Sequence, residues 1–220
     1  MSKVFKENDS AQSITDVLNG IEKYNPANKE FLEQYVKKQA SDESYNLEAY
    51  LALLQLYKFY PHLVNHDISY TILLKCLTKM PRPDFSIAKA LLLPQQMNDL
   101  TVRVILDMSE FLESADFPAF WQLAYELPAM FCNIKGFFDA IRRYICYLVD
   151  LTFNKINKST LNLLLGNIED AEIIEWVRLY NWKQVDDFVL IENEVSQNKN
   201  RVIQENIDME NVIALLARIR

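Results

Sequence analysis

Three features of the sequence predict a mostly α-helical fold with a small mixed module near its end. Glycine is scarce, with three in 220 residues, where a typical share is about 7 %. Apolar residues recur at steps of three and four, the spacing that places them on one side of a helix. From about Ser159 that spacing gives way to two compact helical segments and then to alternation. Half of the residues are apolar, enough for a chain of this length to bury a sizeable core.

The helices can be taken in order. Ile14, Val17, Leu18 and Ile21 share one stripe, with Ser13 placed to cap a short amphipathic helix. Asn25 and Pro26 open the next, because asparagine accepts from the first free amides and proline gives up no needed donor; Phe31, Leu32, Tyr35 and Val36 form its apolar face. The segment from Asn46 to Tyr60 is apolar over more than one stripe, so it is expected to lie centrally until Pro61 ends it. A helix over Ile68–Leu77 follows, then a break at Pro81 and Pro83, with Asp84 as cap of a helix that stops near Pro94. Val102, Ile105, Leu106 and Leu112 mark another before Pro118, and Phe120, Trp121 and Leu123 to Leu127 mark one that closes at Pro128. Such alternation implies antiparallel helical pairs on short turns, a HEAT-like stack without a visible sequence period. A long helix from Phe137 to Ile156, apolar at Phe138, Ile141, Ile145, Leu148, Val149, Thr152 and Ile156, is expected to bridge two halves.

In the last third, Ser159 can cap Leu161–Leu165, Gly166 can end that helix, and a second runs from about Asp170 to Tyr180 on Ile173, Trp176, Val177 and Tyr180. Trp176 is expected in the core. Phe188–Ile191 and Val202–Ile203, separated by a polar stretch, read as a β-hairpin, and two helices with a hairpin make a winged helix. A final helix from Asp208 carries Met209, Val212, Leu215, Leu216 and Ile219 on a broad apolar stripe. The chain thus divides into an extension over 1–12, expected to be disordered, a helical-repeat domain over 13–157, a winged-helix domain over 158–207 and a C-terminal helix over 208–220.

No apolar run reaches the roughly 20 residues of a membrane span, and Met1–Ser10 lacks the apolar stretch of a secretory signal, so a cytoplasmic protein is expected. Cys76, Cys132 and Cys146, odd in number and set in apolar segments, read as reduced, buried thiols. His62 and His66 stand four apart, but Leu63 occupies the place where a metalloprotease motif needs glutamate, and Pro61 and Asn65 mark a helix junction, so no metal site is expected. Gly20, Gly136 and Gly166 are isolated, which excludes phosphate-cradling loops. Asp107, Glu110 and Glu113 fall at helical spacing on a polar face and read as solvated charge. Neither catalysis, a cofactor nor a small-molecule substrate is implied.

A winged helix invites comparison with DNA readers, whose second helix carries Arg, Lys, Asn or Gln to base edges. Here Glu169, Asp170, Glu172 and Glu175 stand against Arg178 alone, and the formal charge of the chain is −7, so a duplex would be repelled. Lys199 and Arg201 in the expected wing, and Arg142 and Arg143 on the long helix, are the candidates for a weak RNA contact. Candidate protein contacts are the expected strand edge, Phe188, Val189, Leu190 and Ile191 with Val202, and the stripe Val212, Leu216 and Ile219. That stripe either folds back onto the winged helix or joins a helical bundle shared with other subunits.

Ile21-Glu22-Lys23-Tyr24-Asn25-Pro26, Leu47-Glu48-Ala49 with Leu56-Tyr57, Ile72-Leu73-Leu74-Lys75 leading to Asp84-Phe85, Phe120-Trp121-Gln122, and Ile145-Cys146 followed by Leu164-Leu165-Gly166 resemble the subunit K family of eukaryotic translation initiation factor 3. That family is similar to the PCI-type subunits of the initiation factor, the proteasome lid and the signalosome. The resemblance implies a non-catalytic scaffold whose partners are the other subunits of the factor, notably subunit L, in a complex that binds the small ribosomal subunit. The matching small subunit of the lid or signalosome, and a free-standing winged-helix regulator that binds nucleic acid, are the alternatives. The family's Tyr-Gly-Trp after the second winged-helix helix stands here as Tyr180-Asn181-Trp182, with asparagine in a place suited to a left-handed helix end.

Overall fold

The computed structural model describes residues 14–191 apart from Asp16 and Glu43. The expected extension over 1–12, the Ser13 cap, Val202–Ile203 and the helix from Asp208 lie outside the described residues. Helical residues 14–15 and 17–19 bury Ile14 and Leu18, but Gly20 ends the run and Ile21 opens a 3-10 turn, Ile21–Tyr24, where it is 87 % exposed. Ile21 is therefore not part of the buried stripe. Asn25 accepts from the Ala27 amide at 3.0 Å and Pro26 starts a second 3-10 turn, which leads into α1, Lys29–Ser41.

The helical stack continues with α2 (Leu47–Phe59), α3 (His66–Leu77) and α4 (Asp84–Leu91). The Asn46 side chain caps α2 by accepting from the Ala49 amide, and the helix buries residues all round, from Ala49 to Tyr57. The hub is α3, which packs against α1, α2, α4 and, further on, α5 (Leu100–Glu113) and α7 (Phe137–Thr152). A helix touched on so many sides must be apolar on more than one face, and Ile68, Ile72, Leu73, Leu74, Cys76 and Leu77 supply that. Asp84 was expected as a cap of α4; instead Pro83 takes that place, and Asp84 is buried, accepting a 2.6 Å hydrogen bond from the Tyr45 hydroxyl. One helical turn, Pro94–Met97, precedes α5, and α6 (Phe117–Glu126) packs on α5.

The long helix stops at Thr152, where Phe153 turns extended, so Ile156 is not on its face as expected but in strand β1, Lys155–Asn157. Then come α8 (Lys158–Leu165), α9 (Asp170–Leu179), β2 (Lys183–Val185) and β3 (Phe188–Leu190). Gly166 ends α8 at φ 91°, and Asn181 follows α9 at φ 55°, the left-handed conformation that asparagine tolerates better than most residues. The sheet is antiparallel with order β1-β3-β2. The described hairpin is β2–β3 around Asp186 and Asp187, so Phe188–Leu190 is its second strand rather than its first as expected; Val202 lies outside the described residues. The sheet completes a winged helix after the helical stack.

Candidate interaction surface of the winged helix

Among the described residues, five side-chain hydrogen bonds join the winged helix to the helical half. Three consecutive carbonyls at the end of α8 each take a donor: Trp121 Nε1 to Leu164 O at 2.8 Å, Arg142 Nε to Leu165 O at 3.3 Å, and Tyr125 Oη to Gly166 O at 2.8 Å. These carbonyls are among the last of the helix, which find no partner within it. Across α7, the Tyr180 hydroxyl donates to Arg143 O at 3.0 Å and Trp182 Nε1 to Asp150 Oδ1 at 2.9 Å. The module is thereby held in one orientation, and Ile156, Leu161, Leu165, Ile173, Val177, Trp182, Val189 and Ile191 are buried beneath it.

Among the described residues, three surfaces of this module are left uncovered. Along β3 the side chains alternate, Val189 inward and fully buried, Phe188 and Leu190 outward. The register sets Val185 and Asn157 on either side of Phe188, and Lys183 and Lys155 on either side of Leu190. The outer face of the sheet is thus an apolar strip, Val185 (48 % exposed) with Phe188 (38 %) and Leu190, and the Lys155 ammonium sits 3.8 Å from the Phe188 ring centroid. The second surface is α9, where Glu172, Glu175 and Leu179 are exposed beside a half-buried Trp176. Asp170 is also exposed and pairs with Lys158 at 3.1 Å. The third is the rim of the sheet, where the outer edges of β1 and β2 lie.

The residues singled out from sequence divide accordingly. Of the expected strand edge, β3 is central, with partners on both sides, so it offers no free backbone edge; Phe188 and Leu190 present side chains outward, while Val189 and Ile191 belong to the core. Val202, Val212, Leu216, Ile219, Lys199 and Arg201 lie outside the described residues. Arg142 lies 5.4 Å from the Trp121 ring, donates to Leu165 O and pairs with Asp139 at 3.4 Å, so within the fold it already has three partners. Arg143 is exposed on α7. Trp176 is half-buried rather than core; the buried tryptophan of the module is Trp182. Sequence reasoning missed Val185 and Leu179, and only the period-two pairing of Val185 with Phe188 across the turn hinted at the first.

Burial pushes the Cys146 thiol up to about 12 and likewise Cys76, while Cys132 is exposed, against expectation. Among the described residues no three His, Cys, Asp or Glu side chains gather as a metal site, and no helix is long and apolar enough to cross a membrane.

A family model described as CSN8/PSMD8/EIF3K matches residues 63–202, which takes in α3 to α9 and the three strands. The chain belongs to the CSN8/PSMD8/EIF3K family. Relatives named eukaryotic translation initiation factor 3 subunit K extend the likeness beyond that span. The one from Drosophila mojavensis is 47 % identical over 99 % of both chains. That from Drosophila virilis is 47 % identical over 96 % of both, and that from Drosophila willistoni 46 % over 99 %. A CSN8/PSMD8/EIF3K chain of this kind is the helical stack and winged helix described above, with its winged-helix surface the part that carries exposed apolar side chains on a sheet.

Proposed function

We propose that the chain serves in eukaryotic translation initiation factor 3 as a non-catalytic scaffold subunit, and that its winged helix docks onto neighbouring subunits, notably subunit L. The observation that carries this reading is the charge and polarity of the module. The helix that would read a DNA groove exposes Asp170, Glu172 and Glu175, and the sheet turns Val185, Phe188 and Leu190 outward. Acid repels a phosphate backbone, whereas an apolar strip ringed by charge suits a protein partner. The stripe Val212, Leu216 and Ile219 adds a second contact in this reading. The domain division follows the same logic, a helical stack that sets position and a winged helix that makes contact. Binding to the small ribosomal subunit is then a property of the assembled factor, in the cytoplasm, with no small-molecule substrate and no membrane.

The identity of the relatives supports the initiation factor over the proteasome lid or the signalosome, since those that match over nearly the full chain carry the subunit K name. Purifying the tagged chain from cell extract at physiological salt and identifying what comes with it tests the assignment. Initiation-factor subunits in fixed ratio are expected. Lid or signalosome subunits in their place would overturn it.

A further inference from the structure

A cavity of about 410 Å³ opens between the α3–α4 connection and the start of α7. Its walls carry Lys75, Lys79, Lys135 and Arg143 together with Tyr144 and Tyr147, and among the described residues that line it there is no carboxylate. That concentration of positive charge stands out in a chain with a formal charge of −7. The Lys75 ammonium is used within the fold, on the carbonyls of Asp42 and Ser44. Lys79, Lys135 and Arg143 take part in none of the ion pairs among the described residues. Lys79 rests over the Tyr45 ring at 5.1 Å, Lys135 is exposed, and Arg143 uses Nε on Asp139 O while its side chain reaches solvent.

The geometry points to a site for a short stretch of single-stranded RNA, with phosphates on Lys79, Lys135 and Arg143 and a base against Tyr147. Cations next to an available aromatic ring are the combination that binds single strands without regard to sequence. Tyr147 is 44 % exposed, whereas Tyr144 is buried, so one ring is offered. A concave pocket of about 410 Å³ is of a size to take the backbone and base of one strand. An acidic peptide would satisfy the cations and leave the Tyr147 ring unused. The site lies on the helical half; Arg143, at its edge, also lines the neighbouring groove with Glu172 and Glu175 of α9, so Lys79 and Lys135 are its cations farther from acid.

Fluorescence anisotropy of the full chain with a labelled ten-nucleotide single-stranded RNA is the test, with a duplex of the same sequence and a polyglutamate peptide as comparisons. Binding at low salt should be weak, with a dissociation constant of about 10–100 µM, and should fall with salt at a log–log slope of about −2, the value for three phosphates on a single strand. The double substitution Lys135→Glu, Arg143→Glu, at two exposed positions, should weaken it at least tenfold while circular dichroism stays unchanged. Tyr147→Ala should weaken RNA binding several-fold at the same salt slope, because stacking is lost and no charge is. RNA binding that is absent at low salt, or indifferent to these substitutions, overturns the inference. So does polyglutamate binding as tight as RNA, which would assign the pocket to an acidic protein segment, or a duplex preferred over the single strand.

Discussion

At the scale of single residues, Gly166 shows how local and distant constraints meet. Its φ of +91° is one that residues with a Cβ rarely adopt, and a Cβ there would lie 2.6 Å from Trp121 Cδ2 and 2.8 Å from the Tyr125 hydroxyl. The close approach exists because Trp121, Tyr125 and Arg142 reach for the three carbonyls around it. Gly166→Ala should therefore cost about 2–4 kcal/mol, a left-handed strain of about 1–2 kcal/mol plus overpacking of similar size, read as a lower urea midpoint at unchanged slope. A glycine placed after Leu161–Leu165 was legible as a helix end from sequence. Its second duty was not, because Trp121 lies forty-odd positions away and no local pattern reports that contact. Arg142 is the same lesson in reverse: read alone it is a surface cation, and only packing reveals that it serves the α8 terminus.

At the scale of elements, what was legible followed length and periodicity. Helices α1 to α9 were readable because each repeats its apolar spacing over at least two turns and most are bounded by Pro, Asn or Gly. The strands were not, since each is three residues long and a single alternation cannot be told from chance. From the sequence β1 therefore reads as the end of the long helix, and β2 goes unseen. The two tryptophans of the module follow from this. Trp176 falls on the buried spacing of α9, yet it sits at the margin where the helix meets Arg142 and Arg143, whereas Trp182, just past the left-handed Asn181, enters the core and donates to Asp150. Trp182→Ala should cost about 3–5 kcal/mol by chemical denaturation, and Trp176→Ala clearly less, because a half-buried ring leaves no closed cavity behind. Equal losses would place both rings in one core.

At the scale of the whole molecule, the helical stack and the winged helix share one continuous apolar core that also encloses thiols and phenols. Burial holds Cys76 and Cys146 at about 12, Tyr70 at about 12 with help from its bond to Asp99, and Tyr45, Tyr50 and Tyr57 well above the usual phenol range. Each folded value is raised, so the stability these groups contribute is complete below the ordinary thiol and phenol values, about 8.5 and 10, and is lost as pH climbs towards the raised ones. The loss for each group is roughly 1.4 kcal/mol per pH unit across that interval. Urea midpoints should accordingly hold steady between pH 7 and 8 and fall steeply by pH 10.5; a flat profile to pH 11 would mean that these side chains are solvated.

In the proposed reading the outward sheet face is where this chain meets its neighbour, and that proposal is open to direct measurement. Purified subunit L, titrated with the full chain and with the double variant Val185→Glu, Phe188→Glu, reads the contact as a dissociation constant. Both positions are exposed, so folding stability should change by no more than about 0.5 kcal/mol, as for ordinary surface sites. The account predicts an affinity at least tenfold weaker for the variant with its urea midpoint unchanged. Undiminished affinity from a folded variant would contradict it.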